Sequence, residues 1–301
     1  MKILITGATG LIGKEIIRLC EQRGYKVHYL TTSKEKLKET DTVSGFYWNP
    51  GIQEIDEKCL KGIDGIINLA GSSIAQRWTT KNKREILNSR TNSIQLLHKL
   101  LVQNSNKVKS IVSASAIGIY PSSFFKEYDE SEQMMSNSFL GKVTKSWEEE
   151  IDRLNDLHIR ICKLRIGIVL TKKGGALAQI TKPIKYGFGA ALGNGNQFQS
   201  WIHNTDIANL FLFALESNLK GVYNAVAPNP VTNKEMTKLI ADQLKKPLWL
   251  PNVPSIVLKI ILGEMAAIAL ESQKVNNSKI LDSGFSFKYE NIENALSDCL
   301  S

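Results

Sequence analysis

Gly7, Gly10 and Gly13 stand three residues apart, directly after the apolar run Ile3-Leu4-Ile5. This spacing suits a phosphate-binding turn. The first glycine lets the chain leave a strand sharply, the second lets backbone approach a pyrophosphate, and the third lets a new helix pack close to the strand. The free N–H groups of that helix would then point at the phosphates. In such a fold an acidic residue at the end of the second strand holds the ribose of NAD. Here that strand ends Thr31-Thr32-Ser33-Lys34, with no acid before Glu35. Hydroxyls and a lysine accept a 2′-phosphate where a carboxylate would repel it, so NADP is expected over NAD.

Two further strand ends would open onto the same crevice. One reads Asn68-Leu69-Ala70-Gly71, whose small residues allow backbone to lie against cofactor. The other reads Ser113-Ala114-Ser115-Ala116, followed closely by Tyr120. Ser115 would hydrogen-bond a substrate oxygen, or be a buried serine tied to backbone. Arg90 would contact a phosphate or form a surface salt bridge. His203 would act as an acid/base, or be a structural histidine bonded to Asp206 or backbone.

These residues need a frame to hold them. Strand-like runs at 2–6, 26–32, 44–48, 65–70, 108–115 and 159–170 alternate with helix-like runs at 11–23, 80–104 and 139–155. That rhythm predicts an α/β, Rossmann-type, doubly wound parallel sheet. Leu87, Ile94, Leu97 and Leu101 give the long helix one buried face. After residue 170 the chain becomes rich in glycine loops, with a helix expected over 205–216 and a strand at 222–224. Thr232 and Glu235 form a capping-box pattern that opens another helix. Residues 1–170 are therefore read as the dinucleotide domain. Residues 171–301 are read as a smaller, mostly helical substrate lobe, part of which returns to the sheet.

Composition narrows the function. The 43% hydrophobic content is enough for a large core, and the net charge of +9 reads as a basic solvated surface that also favours a phosphorylated ligand. No arginine-rich arm suggests nucleic acid. The most apolar late stretch, 253–270, is broken by Lys259 and Glu264 and falls short of the roughly 18 residues a membrane span needs. No membrane partner is expected. Cys20, Cys59, Cys162 and Cys299 are scattered, and His28, His98, His158 and His203 do not cluster. Reduced thiols, no metal and, without a secretory leader pattern, a cytoplasmic location are expected.

Motifs along nearly the whole chain resemble the extended short-chain dehydrogenase/reductase superfamily of nucleoside-diphosphate-sugar epimerase type. More narrowly they resemble its atypical epimerase-like family with a C-terminal epimerase-family domain. The motifs are GATGLIG at 7–13, NLAG at 68–71, RWT at 77–79, SRT at 89–91 and SASAIGIY at 113–120. Next come WEE at 147–149, LRIGIVL at 164–170 and KGGAL at 173–177. SWIHNTDIA at 200–208, YNAVAPNPVTN at 223–233 and SGFSFKY at 283–289 complete the series. The resemblance implies a nicotinamide cofactor and a small-molecule substrate, a carbonyl compound or nucleotide sugar. It adds Thr9, Leu11, Ile12, Ser113, Ala114, Arg165 and Gly167 to the implied cofactor positions, and Ser115 with Tyr120 as the catalytic candidates.

The chain departs from this pattern twice. The superfamily's Tyr-x-x-x-Lys pair falls on Leu140 and Thr144, or, shifted by one, on Gly141 and Lys145; neither frame has a tyrosine. Lys142 and Lys145 are the only nearby ammonium groups. Thr32 also stands where the narrower family usually has an arginine for the 2′-phosphate. Two function classes follow. One is an NADP-dependent oxidoreductase or epimerase with non-standard proton handling. The other is a catalytically silent dinucleotide-binding regulator or scaffold, of the kind described as cell-division inhibitors.

Overall fold

The computed structural model describes residues 1–217 and 219–301. Its strands are β1 (Lys2–Thr6), β2 (Lys26–Thr31), β3 (Val43–Asn49), β4 (Glu54–Ile55), β5 (Gly65–Asn68), β6 (Ser110–Ala116) and β7 (Glu127–Tyr128). β8 (Arg160–Ile166), β9 (Ile168–Leu170), β10 (Phe198–Gln199), β11 (Trp201–His203), β12 (Gly221–Ala225), β13 (Val231–Thr232) and β14 (Lys274–Val275) follow. The helices are α1 (Leu11–Gln22), α2 (Thr80–Gln103), α3 (Phe139–Asp152), α4 (Gly175–Lys185) and α5 (Asn204–Glu216). α6 (Asn233–Gln243), α7 (Ser255–Leu262), α8 (Ala266–Leu270), α9 (Ser278–Asp282) and α10 (Ile292–Leu300) complete the set.

Eight strands form one sheet in the order β12-β8-β6-β5-β1-β2-β3-β4. All neighbours are parallel except β3 and β4. The chain runs outward from β1 to β2 on one side, then returns to β5 on the other. The carboxyl ends of β1 and β5 therefore flank the switch point, where open α/β sheets bind ligands. Ile3, Ile5, Ile66, Ile67, Ile111 and Val112 are buried, as central parallel strands require. α1 packs on α5 and α2 on α3, and these pairs cover the sheet.

The helix expected over 139–155 ends at Asp152 and tightens into a 3-10 turn over Arg153–Leu157. The strand expected over 159–170 breaks at Gly167. A Cβ there would lie 2.4 Å from the Ser200 carbonyl oxygen. The chain presses against Ser200 at this point, and β9 leaves the main sheet to pair with β11. Past residue 170, α5 and α6 form where expected, and Thr232 and Glu235 make the capping box. β12 joins the main sheet against β8. A second core of Leu170, Leu177, Trp201, Met236, Ile240 and Leu296 holds the C-terminal helices together. No helix among the described residues is long and apolar enough to cross a membrane.

The first turn fixes how α1 meets the sheet, and its glycines are not equivalent. A Cβ at Gly13 would lie 2.5 Å from the Gly7 carbonyl oxygen and 2.6 Å from Ala8 Cα, whereas at Gly10 it meets only the Gly7 oxygen, at 3.1 Å. Gly13→Ala is expected to cost about 1–3 kcal/mol by overpacking, and Gly10→Ala under about 1 kcal/mol. Urea unfolding of the two variants measures this; equal losses would contradict the geometry.

Candidate active site

The turn after β1 is built as a phosphate cradle. Gly7 has φ +66°, a left-handed conformation that favours glycine, and a Cβ there would lie 2.7 Å from the Leu69 carbonyl oxygen. Gly10 N donates to Gly7 O at 3.0 Å and closes the turn. Gly10 then caps α1 with no side-chain hydrogen bond, and the helix's first turn holds no acid. The leading N–H groups at Leu11, Ile12 and Gly13 have no intrahelical partner. Thr9 and Gly10 are exposed at the mouth. The space over Gly10, a helix N-terminus and no competing carboxylate fit a pyrophosphate.

A buried polar chain sets the neighbouring strand ends. Thr6 Oγ1 donates to Asn68 Oδ1 at 2.7 Å, and Asn68 Nδ2 donates to Ser113 Oγ at 2.9 Å. Thr6 Oγ1 also accepts from the backbone N–H groups of Leu69 and Ala70. One threonine hydroxyl thus fixes the path of Leu69-Ala70-Gly71 across the crevice, and Ser113 belongs to the same chain ahead of Ala114. Asn68 opens the NLAG motif and Thr6 ends the first strand, but their role as a hydrogen-bonded pair appears only when β1, β5 and β6 lie side by side.

Arg90 reaches this edge from α2. A Cβ at Gly71 would come within 3.0 Å of its guanidinium carbon. The guanidinium lies 5.2 Å from the Trp147 ring centroid, and Nη1 donates to Ile86 O at 2.8 Å. No carboxylate among the described residues lies within ion-pair distance. Burial pushes its pKa down to about 10, so it stays charged at neutral pH. A half-buried cation with donors to spare suits an anionic ligand. At the β2 end Thr31 is buried and its Oγ1 accepts from Ser33 N, while Thr32 and Lys34 are exposed. The Lys34 ammonium sits 5.0 Å from the Tyr47 ring centroid.

Ser115, Tyr120 and Arg165 converge on a carboxylate. Ser115 Oγ donates to Glu148 Oε1 at 2.5 Å. Arg165 grips Glu148 with Nε and Nη2, both at 2.9 Å, and donates from Nη1 to Tyr120 OH at 2.9 Å. Tyr120 OH donates onward to Asn224 Oδ1 at 2.8 Å. All five side chains are buried. Burial alone would raise the Glu148 pKa, but Arg165 first and Ser115 next outweigh it and hold the carboxyl below its ordinary value. Burial pushes the Tyr120 hydroxyl up to about 12 despite Arg165 beside it. The Arg165 fork is occupied by this network, and Gly167 is needed where the chain touches Ser200. Glu148 and Asn224 lie within the sequence motifs, yet nothing local marks them as partners.

α3 carries no acid/base pair. Leu140 and Thr144 face the turn after β6; a Cβ at Gly118 would meet them at 3.5 and 4.0 Å. Thr144 Oγ1 donates back to Leu140 O at 2.9 Å. Phe139 and Leu140 pack with Ile74, Trp78, Met265 and Ala267, an apolar surround. Lys142 and Lys145 are exposed, and Lys145 lies 3.9 Å from Glu149. His203 caps α5: Nδ1 accepts from Thr205 N at 3.2 Å, and Nε2 faces Asp298 at 3.3 Å. Burial lowers its pKa. Asp298 and Cys299 lie close to it, but accepting at Nδ1 leaves the proton on Nε2, which is then no metal ligand.

Removing Glu148 leaves the Arg165 guanidinium buried without a counter-charge. Glu148→Ala should cost about 3–5 kcal/mol, and Glu148→Leu with Arg165→Met should recover much of it. The folded carboxyl pKa lies below the unfolded one. The pair's contribution is therefore complete above the ordinary carboxylate pKa and lost as pH falls through the folded value. Urea unfolding of both variants across the acid range checks this. A loss under about 1 kcal/mol for Glu148→Ala would remove the network from the account.

The profile of the NAD dependent epimerase/dehydratase family matches residues 3–225, and a domain of unknown function, DUF1731, matches residues 253–299. Epimerase family protein YfhF of Bacillus subtilis is 35% identical over 302 residues, covering 100% of this chain and 98% of that protein. The chloroplastic epimerase family protein SDR39U1 homolog of Arabidopsis thaliana is 37% identical, covering 98% of this chain and 86% of that protein. The crystal structure of human epimerase family protein SDR39U1 with NADPH superimposes with a TM-score of 0.87 at 30% identity, covering 99% of both chains. With the glycine turn, the eight-stranded sheet and matches along its whole length, the chain belongs to the NAD-dependent epimerase/dehydratase family.

Proposed function

We propose that the protein is an NADP-dependent oxidoreductase of this family, acting on a carbonyl compound or nucleotide sugar. The observation that carries the reading is the open cradle over Gly10 beside the unpaired Arg90 guanidinium. In this reading the N–H groups at Leu11, Ile12 and Gly13 hold the pyrophosphate. Leu69, Ala70 and Gly71 line the cofactor's path, and Ser113 and Ala114 form its floor. Arg90 meets an anionic group above Gly71. Thr32, Ser33 and Lys34 hold the 2′-phosphate, with Thr31 orienting Ser33. The NADPH in the human relative supports this choice of nucleotide.

Bound NADPH would supply a hydride. The chain's own residues position and shield. The Ser115 hydroxyl donates to Glu148 and the Tyr120 hydroxyl donates to Asn224, so both act as positioning residues that rigidify the carboxyl end of β6. With Leu140 and Thr144 in place of an acid/base pair, the proton comes from water. Turnover is accordingly slow. Tyr120 titrates above the neutral range and Glu148 below it, so neither puts a limb into the rate between about pH 6 and 9. Leu140 and Thr144 also favour the second reading, a regulator that binds the nucleotide and turns nothing over.

Two measurements test this. Titration with NADPH and NADH should show tighter NADPH binding. Lys34→Glu should weaken NADPH by about 1.5–3 kcal/mol, roughly ten- to a hundredfold, with little effect on NADH; tighter NADH binding would overturn the assignment. A panel of carbonyl compounds and nucleotide sugars is then screened with NADPH. Slow oxidation with a flat pH profile, reduced by Ser115→Ala and Tyr120→Phe, is expected. Binding without turnover across the panel would favour the regulator.

A further inference from the structure

Toward its C-terminal end the chain exposes six large apolar side chains that no described residue covers, three in α7 and three on the two segments that lead up to it. Tyr186, Phe188, Trp249, Ile256, Ile260 and Ile261 are each between 64% and 76% exposed. In α7 only Leu258 is buried, so this helix shows its isoleucines to solvent. The face is built from connected pieces. Trp249 Nε1 donates to Gly187 O at 3.0 Å and ties the tryptophan to the Tyr186–Phe188 loop. Val253 N donates to Ala191 O at 2.8 Å, and Gly193 N donates to Val253 O at 2.9 Å. The segments around 187–193 and 249–253 therefore run together, and α7 begins two residues past Val253.

The rim is basic. Lys182, Lys185, Lys234, Lys238, Lys245, Lys246 and Lys259 lie in α4, α6, α7 and their flanks, and all are exposed. None of them forms an ion pair among the described residues. Lys234, Lys238 and Lys246, with Asp242 and Leu248, line a cavity of about 410 Å3. Lysines around exposed aromatic and aliphatic side chains match the two layers of a lipid interface. Aromatic rings sit at headgroup level, apolar side chains enter the acyl boundary, and lysines meet anionic headgroups.

We propose that this face docks the protein on an anionic lipid surface, peripherally and without spanning it. A second copy of the chain is a poor occupant, because it would bring together two surfaces of the same net positive charge. A nucleic acid would leave Ile256, Ile260 and Ile261 without an apolar partner. The expectation of no membrane partner rested on the absence of a spanning segment, which this mode of binding does not need. The inference stands apart from the proposed oxidoreductase activity, since none of these residues lies in the nucleotide cradle.

Tryptophan fluorescence gives a direct reading. Trp48, Trp78, Trp147 and Trp201 are at most 8% exposed, whereas Trp249 is 67% exposed. The full chain is mixed at low salt with vesicles of phosphatidylcholine alone, or with phosphatidylglycerol added. It should sediment with the phosphatidylglycerol vesicles, with a blue shift and with quenching by brominated acyl chains, and should be released by salt. Trp249→Phe should abolish the optical change, which assigns the signal to that side chain. Lys245→Glu with Lys246→Glu, and separately Ile256→Ser with Ile260→Ser, should each weaken binding about tenfold or more. Unchanged circular dichroism confirms that the variants are folded. No sedimentation with phosphatidylglycerol vesicles overturns the proposal. So does binding that leaves the Trp249 signal unmoved or that survives either double substitution.

Discussion

A Cβ at Gly7 would lie 2.7 Å from the Leu69 carbonyl oxygen, and one at Gly13 would lie 2.5 Å from that of Gly7. Backbone here touches backbone, and the rest of the nucleotide edge depends on that approach. It sets α1 hard against β1 and aims the helix N-terminus across the switch point. It also brings β5 close enough for Thr6 to bind Asn68, Leu69 and Ala70 at once. A side chain at either glycine would separate the elements that these hydrogen bonds join.

Local features of the sequence reveal the frame. The glycine turn, the alternation of β-branched runs with amphipathic helices and the Thr232–Glu235 capping box each depend on residues a few positions apart, so α1, α2, α5 and α6 form where their patterns predict. The break at Gly167 does not show in the sequence, because its cause is the Ser200 carbonyl oxygen, a tertiary contact. The same holds for the Glu148 network. Tyr120 and Asn224 are 104 residues apart, and only the pairing of β6, β8 and β12 brings them together. The family resemblance marks Ser115 and Tyr120 as catalytic candidates. The structure shows both already hydrogen-bonded, which changes what they can do.

Two chemistries thus sit side by side at one sheet edge. The nucleotide half keeps donors free: the α1 N-terminus has no capping side chain, and Arg90 has no carboxylate within ion-pair distance among the described residues. The half that would hold a proton donor has closed on itself. Glu148 and Arg165 neutralise each other, Ser115 and Tyr120 complete the network, and α3 presents Leu140 to an apolar surround.

The central claim is that the crevice holds NADPH through free donors, Arg90 among them. Isothermal titration of NADPH into the wild type and Arg90→Gln tests it most directly. Saturable one-site binding to the wild type is expected. A loss of about 1.5–3 kcal/mol in binding is expected on substitution, and circular dichroism checks that the variant, which gives up the bond to Ile86 O and the contact with Trp147, stays folded. Equal affinities for the two proteins, or no binding by the wild type, would contradict the claim.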